Sequence, residues 1–381
     1  MADADTELRK SRSVVAMPLP DQVALVLQGG GALGSFQAGI YEALDGAGIP
    51  VDRVAGISIG AINAAIIAGN VPEKRVEQLR AFWDRVTGAL PSFPIWQTDD
   101  MREWLHQWSA MFVATVGVPG FFSPRMIPPT LAVPGSPEAM SFYDTSALQQ
   151  TLNDLIDWNL LNNGPVRLAV GAVEIESGNF HYFDTALETL DARHIMASGA
   201  LPPGLPPVEI EGKYWWDGGL VSNTPLQHVL DTQDAEMLVF QVDLFSSSSK
   251  LPHTIMDVMA REKEIRFSSR TRQVSDVLLK LRTERETIRK VLSKLPASMA
   301  DDADVRALAA LAEEFPVNVV QLIYRANAWE GGARDFEFSS RTMNEHWAAG
   351  REAVAATIEN SELMASNIVD GKTAAFDLNP R

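Results

Sequence analysis

Two short stretches carry residue types able to act on a carbonyl carbon. Gly56-Ile57-Ser58-Ile59-Gly60 sets a serine between two glycines, the G-x-S-x-G spacing of a nucleophile elbow. Such a turn needs glycines because a Cβ at either flank collides with neighbouring backbone as the chain reverses. Asp217-Gly218-Gly219 sets a carboxylate at the mouth of a glycine turn, with no side chains beside it to screen it. Taken alone, Asp-Gly-Gly is also an ordinary turn. A serine nucleophile and a base together point to acyl transfer.

The elements that must position these groups are legible around them. Val51–Asn70 reads as a short apolar strand, the serine turn, and a helix whose Ala61, Ala64, Ala65 and Ala68 suit close packing on a sheet. The serine then sits over a helix N-terminus, where free N–H groups and the helix dipole favour developing negative charge. Upstream, Val23–Gln28 reads as a buried strand that runs into Gly29-Gly30-Gly31-Ala32-Leu33-Gly34 and a further helix. This loop satisfies G-x-G-x-x-G, with Asp52 where a ribose-binding acid sits, so a dinucleotide site competes for it. A nicotinamide or flavin site does not require the serine turn that follows. Beside Ser58 the preferred reading is an oxyanion cradle of bare backbone N–H groups.

A base must take the serine proton. In a Ser-His-Asp triad of hydrolase order a histidine follows the acid. The six histidines are His106, His181, His194, His228, His253 and His346, and none lies in a loop of motif character. His228 is nearest to Asp217 but falls at the start of an expected helix. The alternative is a dyad, in which a carboxylate made more basic by partial burial accepts the proton directly.

With QGGGALG, GISIG and DGGLVSNTP in that order, and ASGALPP before the third block, the sequence resembles the patatin-like phospholipase family. The resemblance runs from Val23 to about Leu244. It implies Ser58 as nucleophile, Asp217 as general base, and an oxyanion hole from the N–H groups around Gly29, Gly30 and Gly31. Gly56, Gly60, Gly218, Gly219 and Asn223 would support the elbow and the aspartate loop, with Pro225 also fixing that loop. It further implies a three-layer α/β fold with a mostly parallel central sheet and a helical C-terminal extension of the kind found in a bacterial subgroup. The substrate would be a lipid ester, a phospholipid or lysophospholipid, hydrolysed through an acyl-enzyme with no metal or organic cofactor. One position departs from the pattern: Leu33 stands where the family carries Arg or Lys in the glycine loop.

The remaining chain sets the organisation. Residues 1–20 read as a polar arm without the apolar core of a signal peptide, 21–250 as the catalytic domain, and 251–381 as a mostly helical region packed on it. Pro72–Gly88 reads as an amphipathic helix with Val76, Leu79, Phe82, Trp83 and Val86 on one face. Pro91–Phe122 holds seven aromatics in 32 residues, and the aromatic, Pro-rich insert 90–140 reads either as a satellite core or as a cap that walls an acyl pocket or dips into a membrane interface. Expected helices are Thr145–Trp158, Asp191–Ser198, Leu251–Leu295 (one or two), Asp301–Phe315 and Arg341–Ser366. Expected strands are Val166–Ile175, Asn179–Asp184, Met237–Asp243 and Val317–Ile323, with frayed residues at the close.

Composition narrows the classes. A net charge of −17 argues against general nucleic-acid binding, and the absence of cysteine removes disulfides and thiolate chemistry. Lys250–Lys294 nevertheless carries twelve Lys or Arg against six Asp or Glu, either a solvated helical face or a surface for anionic headgroups. No apolar run is long enough to span a bilayer, so the expectation is a cytoplasmic protein at most peripheral to a membrane, with a homodimer the oligomer favoured. An esterase acting on neutral lipid or polyester would use the same residues. A dinucleotide-binding oxidoreductase would have no need of Ser58, and a non-catalytic lipid-binding protein would need neither Ser58 nor Asp217.

Overall fold

A computed structural model describes residues 17–88, 99–246, 251–252, 255–312, 315–327 and 330–378. Its strands are β1 (Gln22–Leu27), β2 (Arg53–Gly56), β3 (Ser123–Pro124), β4 (Tyr143–Asp144), β5 (Arg167–Glu174), β6 (Phe180–Asp184), β7 (Val208–Ile210), β8 (Lys213–Asp217), β9 (Met237–Asp243), β10 (Val317–Ile323) and β11 (Ala374–Phe376). All but β3 and β4 join one nine-stranded sheet in the order β11-β10-β9-β1-β2-β5-β8-β7, with β6 also paired to β5. From β11 to β5 the pairing is parallel, and the β5–β6, β5–β8 and β7–β8 pairings are antiparallel. The central strands read as continuous apolar runs because both faces are covered. In β1, Val23, Leu25 and Leu27 face one core while Ala24 and Val26 face a smaller one on the other side.

The helices are α1 (Ser35–Gly46), α2 (Ile59–Ala68), α3 (Pro72–Thr87), α4 (Asp99–Val116), α5 (Ser146–Leu155), α6 (Trp158–Asn163), α7 (Ala192–Ser198), α8 (Leu226–Asp231), α9 (Ile255–Leu292), α10 (Ala303–Ala312), α11 (Ser340–Glu359) and α12 (Glu362–Val369). Residues of α1, α2, α3 and α11 build the larger core, and α8 covers the smaller one. The result is three layers with a mostly parallel sheet in the middle, as the sequence led one to expect. The expected α3 face is also found, with Leu79, Phe82, Trp83 and Val86 buried. Among the described residues no helix is long and apolar enough to cross a membrane.

Several boundaries differ from the sequence reading, each for a local reason. Within the expected Leu251–Leu295 segment, Ile255–Leu292 forms one helix, α9, because no Gly or Pro interrupts it between Pro252 and Pro296. Thr145–Trp158 is split: Asp157 caps a second helix by accepting from the N–H groups of Asn159 and Leu160. Arg341–Ser366 is likewise two helices, broken at Asn360-Ser361. The closing residues, expected to fray, supply β11 at the sheet edge, paired to β10 from Ala374 to Phe376. The β7–β8 hairpin was not anticipated. Its turn has positive φ at both Glu211 (52°) and Gly212 (78°), a conformation usually signalled by Asn-Gly rather than Glu-Gly.

Candidate active site

Ser58 lies between the end of β2 and the start of α2, with φ 56° and ψ −124°. That is backbone a non-glycine residue adopts only when its surroundings enforce it, and it turns the side chain out of the sheet. The flanking glycines are required by crowding. A Cβ on Gly56 collides with the Gly60 carbonyl, and one on Gly60 collides with the Leu27 carbonyl at the end of β1. The helix below is apolar apart from Asn63, and all ten of its residues are buried. The Ser58 N–H donates to the Ser198 carbonyl and to its hydroxyl oxygen, both at 3.1 Å, so it is not available to a substrate oxygen.

Asp217 ends β8 and is 2% exposed. On the sheet, β5 separates it from the serine, with Val170 opposite Gly56 and Ala172 opposite Asp217. The end of α7 and the residues after it tie the two together: Ser198 holds Ser58, and the Ala200 carbonyl accepts the Asp217 N–H at 3.0 Å. Burial pushes the Asp217 carboxyl up to about 6, against hydrogen bonds from the Ser58 hydroxyl and the Gly219 N–H that favour the carboxylate. The Gly219 N–H reaches Asp217 Oδ1 at 2.7 Å. Here too the glycines answer to space. A Cβ on Gly218 would stand 2.5 Å from the Gly171 carbonyl, and one on Gly219 would stand 2.8 Å from Asn223 Oδ1.

Asn223 clamps the glycine loop from both ends of one residue. Its Nδ2 donates to the Gly29 carbonyl at 2.9 Å, and its own carbonyl accepts the Gly29 N–H at 3.3 Å. Among the described residues the N–H groups of Gly30 and Gly31 carry no protein acceptor. Gly31 has φ +56°, and a side chain there would meet the Asp335 carbonyl. Behind the loop runs a buried amide relay: Trp83 Nε1 to Asn63 Oδ1, Asn63 Nδ2 to Gln37 Oε1, and Gln37 Nε2 to the Gln28 carbonyl. Gln28 Oε1 then accepts the N–H groups of Leu244 and Phe245. Asn223→Ala strands a buried Gly29 carbonyl and should cost about 1–3 kcal/mol of stability, read by urea unfolding. An unchanged unfolding midpoint would remove the clamp from this account.

Ser58, Asp217, Gly29, Gly30, Gly31, Gly219 and Asn223 all line one cavity of about 310 Å³. Gly56, Gly60 and Gly218 lie in the backbone beneath it and do not line it. Its walls are apolar and largely aromatic, with Phe121, Phe122, Tyr143, Phe245, Phe267 and Phe338 among them. The aromatic stretch thus divides. Its end walls the cavity, Trp104 and Trp108 of α4 are exposed, and Phe93 and Trp96 lie outside the described residues.

Other candidates fall elsewhere. His228 stacks on Tyr182 and binds Asp184 Oδ2 at 2.8 Å, away from the cavity lining. Asp184 is buried, yet hydrogen bonds from His228 and Arg167 hold its carboxyl well below the usual range. Asp52 precedes β2 and accepts the Val23 N–H at 2.8 Å, so it sits at the end of the sheet opposite the glycine loop, where it cannot meet a ribose bound there. Leu33 is fully buried in the larger core. The sequence reading missed Ser198, Ala200 and Gln28 as positioning groups, and Lys263 and Asp335 as lining residues. ASGALPP was the one signal for the first two; the others come together only through long-range packing.

A family model described as patatin-like phospholipase matches residues 25–230, and one described as patatin phospholipase matches 265–367. Lysophospholipase nte1 of Aspergillus terreus is 56% identical over 46 residues, 12% of this chain and 3% of that protein. Patatin-like phospholipase domain-containing protein 6 of Homo sapiens is 44% identical over 61 residues, 16% of this chain and 4% of that one. The matches therefore span only 3% to 4% of the length of these relatives. Among solved structures, VipD from Legionella pneumophila is 14% identical with a TM-score of 0.37, covering 95% of this chain and 81% of that one.

Proposed function

Because this chain belongs to the patatin-like phospholipase family, we propose that it is a serine lipid acyl hydrolase that works through a Ser58–Asp217 dyad. One arrangement carries the reading: Ser58 and the buried Asp217 carboxyl, raised to about 6, line one cavity beside a glycine loop with unspent N–H donors. A carboxylate with that pKa is ionised at neutral pH and still basic enough to take a proton as Ser58 Oγ attacks an ester carbonyl. The oxyanion that forms is held by the Gly29-Gly30-Gly31 loop, where the Gly30 and Gly31 N–H groups are the donors not otherwise engaged. Asp217 returns that proton to the departing alcohol, which leaves an acyl-enzyme; it then takes a proton from the attacking water and passes it back to Ser58 Oγ as the fatty acid leaves.

The aromatic cavity suits an acyl chain, which supports phospholipid or lysophospholipid as the substrate class. Beside the Phe121–Phe122 wall, Met126, Leu131 and Val133 are largely exposed. Apolar side chains in that position support peripheral contact with a lipid surface. The test is covalent labelling by a fluorophosphonate probe, with fatty-acid release from phospholipid vesicles and from neutral esters measured in parallel. The expected result is one labelled serine, lost in Ser58→Ala together with turnover. A folded parent that takes no label and turns over neither lipid would end the hydrolase reading.

A further inference from the structure

Apart from Ser58, Asp217 and Asn223, the cavity is polar at one side only among the described residues, and that side belongs to the C-terminal third of the chain. Among the described residues that line it, Lys263 is the only cation, and Asp217 and Asp335 are the only acids. Lys263 extends from α9, pairs with Asp335, and lies 5.4 Å from the centre of the Phe336 ring. Asp335 belongs to the turn Arg334–Phe336, whose backbone presses on Gly31 of the glycine loop. The ammonium is thereby fixed at the edge of the same loop that faces Ser58. One ion pair does not exhaust it, since an ammonium carries three donors.

The surroundings hold this corner in a set of ion pairs. Glu264, next along α9, is buried and bound by both Arg261 (2.9 Å) and Arg334. Arg261, Lys263 and Arg334 thus pair with Glu264 and Asp335 at this side of a cavity whose other walls are mostly apolar. Phe267, one turn further along α9, lines the cavity beside Lys263. An amphiphile with an acyl ester and an anionic group a few bonds apart matches the lining: the chain along the aromatic wall, the ester at Ser58, the anion at Lys263.

We propose that Lys263 binds the phosphate diester of a phospholipid or lysophospholipid whose acyl ester is presented to Ser58. This rests on the hydrolase reading above. Lys263 is then the specificity-determining residue that separates phosphate-bearing from neutral esters, and it gives the basic C-terminal helix a role at the reaction site.

The test pairs a short-chain lysophosphatidylcholine, kept monomeric, with the neutral monoacylglycerol of the same acyl chain. Lys263→Met should lower kcat/KM on the phosphate ester about tenfold, through KM, the loss of one charge-assisted hydrogen bond. On the neutral ester it should stay within about twofold, as expected when the ammonium contributes only to binding the phosphate. Lys263→Gln gives the same contrast if the methionine variant does not fold. Equal losses on the two esters, or no loss on either, overturn the proposal. A binding arm is independent of turnover: glycerophosphocholine and inorganic phosphate are titrated by calorimetry into Ser58→Ala and into Ser58→Ala with Lys263→Met. Glycerophosphocholine binding that disappears with Lys263 supports the proposal. Binding of inorganic phosphate alone assigns the residue to a free anion, and binding of neither probe overturns the site. A parent inactive on both esters fails the hydrolase reading, while the calorimetry still decides on Lys263.

Discussion

Asp217→Asn is expected to lower acylation by Ser58 about 10³-fold while the protein becomes more stable. Asparagine keeps the shape of the side chain and can still accept the Gly219 N–H, but it cannot take the serine proton. The pH profile of the parent should carry the signature of the same group. A base must be ionised to act, so kcat/KM should rise with pH and level off above about 6, the value to which burial raises Asp217. In the variant that limb should disappear. Asp243 is a second buried carboxyl, pushed up to about 7, with hydrogen bonds from Gln241 and Thr224. It does not line the cavity, so Asp243→Asn should leave the limb in place.

The stability half follows from the direction of the same shift. Unfolded, Asp217 ionises near 3.8; folded, it ionises near 6. Between those values the unfolded chain has already released the proton that the folded one retains. Parental stability therefore falls as pH rises from about 4 to about 6, and stays lower above that. Two units correspond to about 2–3 kcal/mol. Asp217→Asn should unfold later than the parent at pH 8, with the difference vanishing near pH 4. Lost turnover with raised stability separates a missing base from a damaged fold. Lost turnover with lower stability at pH 8 would count against Asp217 as a strained, functional carboxylate.

Gly39→Ala should be the most damaging of the glycine replacements that lie away from the cavity. Gly39 of α1 faces Trp347 of α11, and Gly350 of α11 faces Phe36 of α1. In each case a Cβ runs into the carbonyl oxygen of the facing helix, so the two backbones cross with only hydrogen between them. Backbone cannot yield as a flexible side chain does, and overpacking here should cost about 3 kcal/mol. That exceeds the roughly 1 kcal/mol that alanine gains over glycine inside a helix. Gly46→Ala, at the end of the same α1 and with nothing within 4 Å, is the control and should be neutral or slightly stabilising. Equal midpoints for the two variants in denaturant unfolding would mean that the crossing has room to relax.

Ser58, Asp217 and the glycine loop were legible because their chemistry and their backbone demands coincide locally. A glycine that exists to admit a neighbouring carbonyl, such as Gly56, leaves its mark in a short motif. The strut from Ser198 to Ala200 left only a weak mark, since its contribution is one serine hydroxyl and two backbone carbonyls, which any residue supplies. Lys263 left none that pointed to the cavity. A basic helix reads the same whether it faces water or a pocket, and only the packing of α9 against the glycine loop distinguishes the two. The β7–β8 hairpin was hidden by a Glu-Gly turn, and β11 by its three-residue length.

The sheet order also constrains how the molecule can be made. β9 is flanked by β1 on one side and by β10 on the other, and all seven of its residues are buried. Translation delivers β1, β2, β5 and β9 long before Val317–Ile323 leaves the ribosome. Until then Met237–Asp243 offers an uncovered apolar edge, the kind of template on which a second nascent chain can pair. Ser58, Asp217 and the glycine loop are all synthesised by that stage, yet the sheet that carries them stays open on one side. Closure of the sheet therefore waits for Val317–Ile323, and a chaperone that shields this edge should raise the yield of folded protein more than it raises the activity of each molecule.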